Sequence, residues 1–193
     1  MSQTLNEAGR AALLSCDTPE DMYAVLTGAA GDHGARRGRP PALACLGWQS
    51  LALDLDARTR DEVLDRLLAL CARSGAVIAP DEARAAVFAR ERESPTGIEN
   101  GVALPHARTA AVERIVCAFG ISRAGIAFDA MDGRPSHFFA MVLMPPSAAG
   151  DYTRVVAAFA RALDAEGRRA LLAAHSSQEA LAILLARAEA GNQ

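Results

Sequence analysis

The stretch PTGIENGVALPHAR, residues 95–108, ends on a histidine at a corner. A histidine with its ordinary pKa of about 6.5 is neutral and nucleophilic near pH 7. It can therefore attack phosphorus and carry a phosphoryl group as a covalent intermediate. Such transfer depends mainly on positioning and on donors that match the charge of the oxygens. Pro105 fixes its own φ and biases Leu104 toward extended geometry, which ends a strand abruptly and presents His106 at its edge. Gly97 and Gly101 let backbone amides come close to an anion, and Thr96 adds a hydroxyl donor. Arg90 and Arg108 offer forked, permanently charged donors suited to phosphate oxygens.

Each of these residues also has a plainer reading. A Pro-His pair taken alone is more often a turn with a solvated histidine, and glycines usually mark turns. Arg90 can pair with a neighbouring acid, and Arg108 can be a surface residue.

Other chemistries find less support. All 20 basic residues are arginine, so no lysine is present to form a Schiff base. His33 sits in a glycine-rich stretch, His137 at the start of an apolar run, and His175 in a turn before the last helical pattern. No HxH or HExxH spacing occurs, so no metal site is expected, and no GxSxG elbow occurs either. No cofactor is expected. A net charge of −3 gives no electrostatic reason to expect nucleic acid as a partner. Cys16, Cys45, Cys71 and Cys117 are scattered without a CxxC pair, which fits a reducing cytoplasm; Cys71 in a helical pattern and Cys117 in a strand pattern read as small buried hydrophobes. Neither a signal-peptide pattern nor a bilayer-length apolar run is present, so the expectation is a cytoplasmic protein without membrane insertion.

The elements that must position the corner follow from periodicity. Residues 1–45 differ from the rest: TPEDMYAVL suggests a short helix opening at Thr18, and TGAAGDHGARRGRPPAL reads as a linker or loop containing Arg36, Arg37 and Arg39. After it, LALDL (51–55) alternates as a short strand. TRDEVLDRLLALCARSG reads as an amphipathic helix with a Thr59/Glu62 capping box and a stop at Gly75. PDEARAAVFARERE reads as a second helix led by Pro80. GVALP, RIVCAFGIS and FFAMVLMPP read as strands, the last buried on both faces. DYTRVVAAFARALD, EGRRALLAA and SSQEALAILLARAEAG close the chain as helices. The expected class is α/β, a mixed sheet flanked by helices on both faces, with residues 1–45 as an N-terminal extension and 46–193 as the main domain.

With these residues in place, the chain resembles the type-2 enzyme IIA domains of the bacterial phosphoenolpyruvate-dependent phosphotransferase system. The signature is RERESPTGIENGVALPHAR, carrying an Arg-Glu pair, Thr-Gly-Ile, Asn-Gly and Ala-x-Pro-His at the family's spacing. A second block, GIAFDAMDGRP followed by FFAMVLMP, is most similar to the nitrogen-regulatory branch, although fructose- and mannitol-type modules share much of it. The resemblance covers roughly residues 46 to 190.

It implies that His106 accepts phosphate from an HPr-type carrier protein, a phosphotransferase component acting as a phosphohistidine carrier. It places Arg90, Thr96 and Asn100 around the acceptor. We assign Arg90 to balancing charge, Thr96 to donating a hydrogen bond and Asn100 to shaping the loop. Family members commonly carry a second histidine at the start of the helix after the buried strand, where this sequence has Tyr152. A phenol can donate to a phosphoryl oxygen but cannot become cationic as imidazole can.

The leading expectation is a free-standing carrier of the nitrogen-regulatory type whose phosphorylation state controls binding to regulatory targets. A sugar-specific IIA module and a degenerate binding domain that no longer takes phosphate are the alternatives.

Overall fold

The structure, a computed structural model, describes residues 42–190. The helix expected at Thr18, the Arg36, Arg37 and Arg39 cluster, Cys16 and His33 lie outside the described residues.

Two helices come first after a 3-10 turn at Trp48–Ser50 and strand β1, Leu51–Ala52. Helix α1 spans Arg60–Ala72 and α2 spans Pro80–Glu93. The capping-box reading of α1 is half met. Thr59 Oγ1 accepts from the Glu62 amide at 3.2 Å, but the Glu62 carboxylate reaches one residue further back, to the Arg58 amide at 2.7 Å. The last helix repeats the arrangement: Ser176 Oγ accepts from the Glu179 amide, and Glu179 reaches back to the His175 amide. Either way, amide groups that a helix start leaves without partners are satisfied.

Strands β2 (Val102–Ala103), β3 (His106–Arg108), β4 (Val116–Ile126) and β5 (Ser136–Met144) follow. A 3-10 turn at Pro146–Ala148 leads into α3 (Ala149–Ala162), α4 (Ala165–Ala173) and α5 (Ser177–Glu189). The sheet is mixed. β1 runs parallel to β4, β4 antiparallel to β5, and both β2 and β3 parallel to β5.

One core lies on each face, as strand alternation requires. Cys117, Phe119 and Ile121 of β4 and Phe138, Ala140, Val142 and Met144 of β5 pack with α3, α4 and α5. Val116 and Ala118, with Phe139, Met141 and Leu143, pack with α1 and α2. Ala42 and Leu43, the last residues of the loop-like stretch, are buried in the first of these cores.

The strand expected over 51–55 keeps regular register with β4 at Leu51 and Ala52, and after a break the Leu55 amide donates to the Ile121 carbonyl of β4 at 2.8 Å. Leu51 belongs to one core and Leu55 to the other. Residues four apart in a straight strand face the same side, so the chain must leave extended pairing to put them on opposite sides.

Candidate functional site

β2 and β3 share one register on β5. Val102 pairs with Phe138 and His106 with Val142, an offset that is the same at both ends of the gap. Leu104-Pro105 therefore interrupts a single edge strand. Pro105 has no amide to give, but its carbonyl still accepts from the Val142 amide at 3.0 Å. The expectation that the strand ends before His106 is corrected here: His106 opens its continuation.

That position fixes the imidazole. Nδ1 lies 2.9 Å from the Leu104 carbonyl. A carbonyl only accepts, so Nδ1 carries the proton and Nε2 carries the lone pair. The ring is half-buried, and burial pulls its pKa below the ordinary value; the Leu104 bond opposes this, Arg90 adds to it, and Glu91 opposes it. Neutral imidazole with a free Nε2 is the state in which a histidine acts as a nucleophile.

Tyr152, in the first turn of α3, covers the ring, with centroids 5.1 Å apart and planes tilted by 39°. The phenol is itself half-buried; burial raises its pKa and the charge of Arg90 works against the rise. Arg90 thus acts on both rings. It stands in the last turn of α2, half-buried, and its Nη1 donates to the Ser94 carbonyl at 2.8 Å. The same bond caps the helix end and steadies the guanidinium.

Thr96 is placed differently from the expectation. It is buried, its Oγ1 donates to Glu91 Oε2 at 2.6 Å, and its amide donates to Glu91 Oε1 at 2.9 Å. The hydroxyl proton is committed to a buried carboxylate. Glu91, only 2% exposed, ties the end of α2 to the segment that leads into β2.

Asn100 shapes the turn, with φ of 63°, followed by Gly101 at 73°. Ile98 donates to the Val102 carbonyl across this turn, and the Asn100 amide donates to Asp132. Asn tolerates left-handed geometry better than most residues. Gly97 serves the fold: a Cβ there would lie 2.6 Å from the Phe128 carbonyl oxygen. Its close approach is to the chain, rather than to an anion as the sequence suggested. Arg108 is exposed at the far end of β3, two residues along and on the same side as His106.

A match to the family described as "Phosphoenolpyruvate-dependent sugar phosphotransferase system, EIIA 2" spans residues 48–187. The chain belongs to this family. Among relatives of this IIA domain, the "PTS system fructose-specific EIIA component" of Haloferax volcanii is 36% identical over 66% of the chain and 84% of its own length. A "Nitrogen regulatory protein" of Pseudomonas aeruginosa is 32% identical over 49% of the chain and 62% of its own length. Among solved structures, "Nitrogen Regulatory Protein IIA-Ntr" from Neisseria meningitidis superposes with a TM-score of 0.67 at 28% identity, covering 72% of this chain and 96% of that one.

For this IIA domain, sequence reasoning gave Glu91 no role, although the residue stands in the quoted signature. Its only signal was a carboxylate inside that signature, five residues before Thr96. His137 is a fold residue: its Nδ1 lies 3.0 Å from the Ser122 carbonyl. Among the described residues no three or more His, Cys, Asp or Glu side chains gather as a metal site would need. No described helix is long and apolar enough to cross a membrane.

Proposed function

We propose that this IIA domain is a phosphoryl carrier that takes phosphate on Nε2 of His106 from an HPr-type carrier protein. The reading rests above all on the Nδ1 bond to Leu104, which leaves Nε2 as the nitrogen with a lone pair. The Nε2 lone pair forms the new N–P bond as the N–P bond of the donor phosphohistidine breaks, and the proton stays on Nδ1, donated to the Leu104 carbonyl. Arg90 and Arg108 offset the charge that arrives, about −1.5 to −2 by analogy with other phosphorylated side chains. Tyr152 shields the ring and offers its hydroxyl to a phosphoryl oxygen. Thr96 acts indirectly, by holding the turn through Glu91.

Within the family we assign the chain to the nitrogen-regulatory branch, acting in the cytoplasm on regulatory target proteins, with residues 1–45 as an extension of the carrier domain. The likeness to IIA-Ntr supports this. A sugar-specific role is the second reading, favoured by the fructose-specific relative.

The test is incubation with phosphoenolpyruvate, enzyme I and an HPr-type carrier. An acid-labile phosphate-sized mass gain, absent in His106→Ala, is the expected result. No gain with competent carriers would overturn the carrier reading and favour a binding domain that has lost the chemistry. Onward transfer to a fructose-type IIB protein would move the chain to the sugar-specific branch.

A further inference from the structure

Cys45 and Cys117 are 72 positions apart in sequence, yet their Sγ atoms lie 2.7 Å from one another. Unbonded sulfurs do not normally pack so closely, and only the covalent S–S bond, about 2.05 Å long, is much shorter. Their backbones are also side by side, with the Cys117 amide donating to the Cys45 carbonyl at 3.4 Å. Closing a bond between them needs side-chain adjustment and no transport of chain.

We propose that Cys45 and Cys117 are a reversible thiol–disulfide pair, closed by a peroxide or a small-molecule disulfide, that fastens the chain at Cys45 to strand β4. The two thiols differ in access. Cys45 is half-buried and lines an open cleft of about 710 Å³, whereas Cys117 is fully buried within β4. Burial, then the neighbouring Cys45 thiol, raise the Cys117 pKa, so Cys117 is the less reactive of the two toward an outside oxidant, and its own step relies on the closeness of the Cys45 sulfur. Cys71 belongs to the core on the opposite face of the sheet.

With a peroxide, Cys45 takes one oxygen to become a sulfenic acid and water leaves. The Cys117 sulfur then attacks the Cys45 sulfur, the S–O bond breaks, and a second water departs with the Cys117 proton. Two thiols lose two electrons and two protons, and the peroxide gains both. A dithiol reverses the step by exchange.

The position gives the pair a structural meaning. Cys117 pairs with Val142, and Val142 pairs on its other side with His106. All three therefore stand in one row across the sheet, and two strand spacings put Cys117 about 10 Å from His106. The cleft that exposes Cys45 is walled by Asp151 and Arg154 of α3, the helix that carries Tyr152.

The experiment uses the full chain, exposed to hydrogen peroxide or oxidised glutathione and digested without reductant. The expected result is a peptide linking residues 45 and 117, with loss of two hydrogen atoms from the intact mass, reversed by dithiothreitol. Cys71→Ala keeps the bond and Cys45→Ala loses it. The bond also forms faster in the native chain than in urea, because folding raises the local concentration of one thiol around the other. Cys45 recovered as a glutathione adduct or sulfinic acid beside a free Cys117 would overturn the proposal. So would a bond through Cys16 or Cys71 in its place, or one that forms only in urea.

Discussion

The imidazole of His106 and the phenol of Tyr152 lie with ring centroids 5.1 Å apart, joining the edge of the sheet to the helix that crosses its face. The strand supplies the nucleophilic ring and the helix supplies its cover. Burial is the largest cause of the depressed pKa of His106, and the Tyr152 ring is one of the groups packed against that imidazole.

Tyr152→Ala uncovers the imidazole, so the His106 pKa rises toward its ordinary value. Tyr152→Phe keeps the ring and leaves the pKa close to that of the parent. Following the His106 ring protons by NMR across pH 5 to 8, the range in which a histidine titrates, compares the variants. A downward shift in Tyr152→Ala would contradict desolvation as the cause.

The sign of the pH effect on stability follows from the same depression. In the unfolded chain His106 binds its proton near pH 6.5, the ordinary value, whereas the folded chain resists binding it until the pH is lower. Its contribution to stability is present above the ordinary pKa and is lost as pH falls toward the folded one. Urea midpoints measured at pH 7 and pH 5 should drop further for the parent than for His106→Gln.

Thr96→Val removes a hydroxyl from a buried carboxylate and keeps the shape. Loss of one partner of a buried polar group costs about 1–3 kcal/mol. Urea unfolding reports this, and Thr96→Ser, which retains the donor to Glu91, should recover most of it.

Gly97→Ala and Gly75→Ala separate two kinds of glycine requirement. At Gly97 the added Cβ meets backbone, 2.6 Å from the Phe128 oxygen and 2.7 Å from Ala130 Cα, and crowding of this kind costs about 1–3 kcal/mol or more. At Gly75 the space is open but φ is 70°, so the cost is strain alone, about 1–2 kcal/mol. Thermal unfolding of the two variants gives the comparison. A larger loss at Gly75 would show that the segment 128–130 yields.

Much of the frame was legible because local periodicity and end signals are short-range physics. Thr59, Pro80, Ser176 and the apolar run before Pro145 announced three helix starts and the central strand, and helical patterns before and after the cluster of strands implied helices on both faces. The His106 corner was legible for the same reason, since Pro105 acts on its immediate neighbours.

What the sequence by itself determined is the inventory: a histidine after a proline, arginines near it, an Asn-Gly turn, and elements of a mixed sheet. Tertiary structure alone decided which of these residues meet. β3 exists because β5 lies alongside to donate to the Pro105 carbonyl, and the break after Ala52 exists because Leu51 and Leu55 must reach opposite cores. Glu91 claims the Thr96 hydroxyl, Tyr152 reaches His106 from a helix far along the chain, and Cys45 meets Cys117 across 72 positions. Sequence patterns report bonds closed within a few residues, whereas these contacts form only when folding brings distant segments to the same side of one sheet.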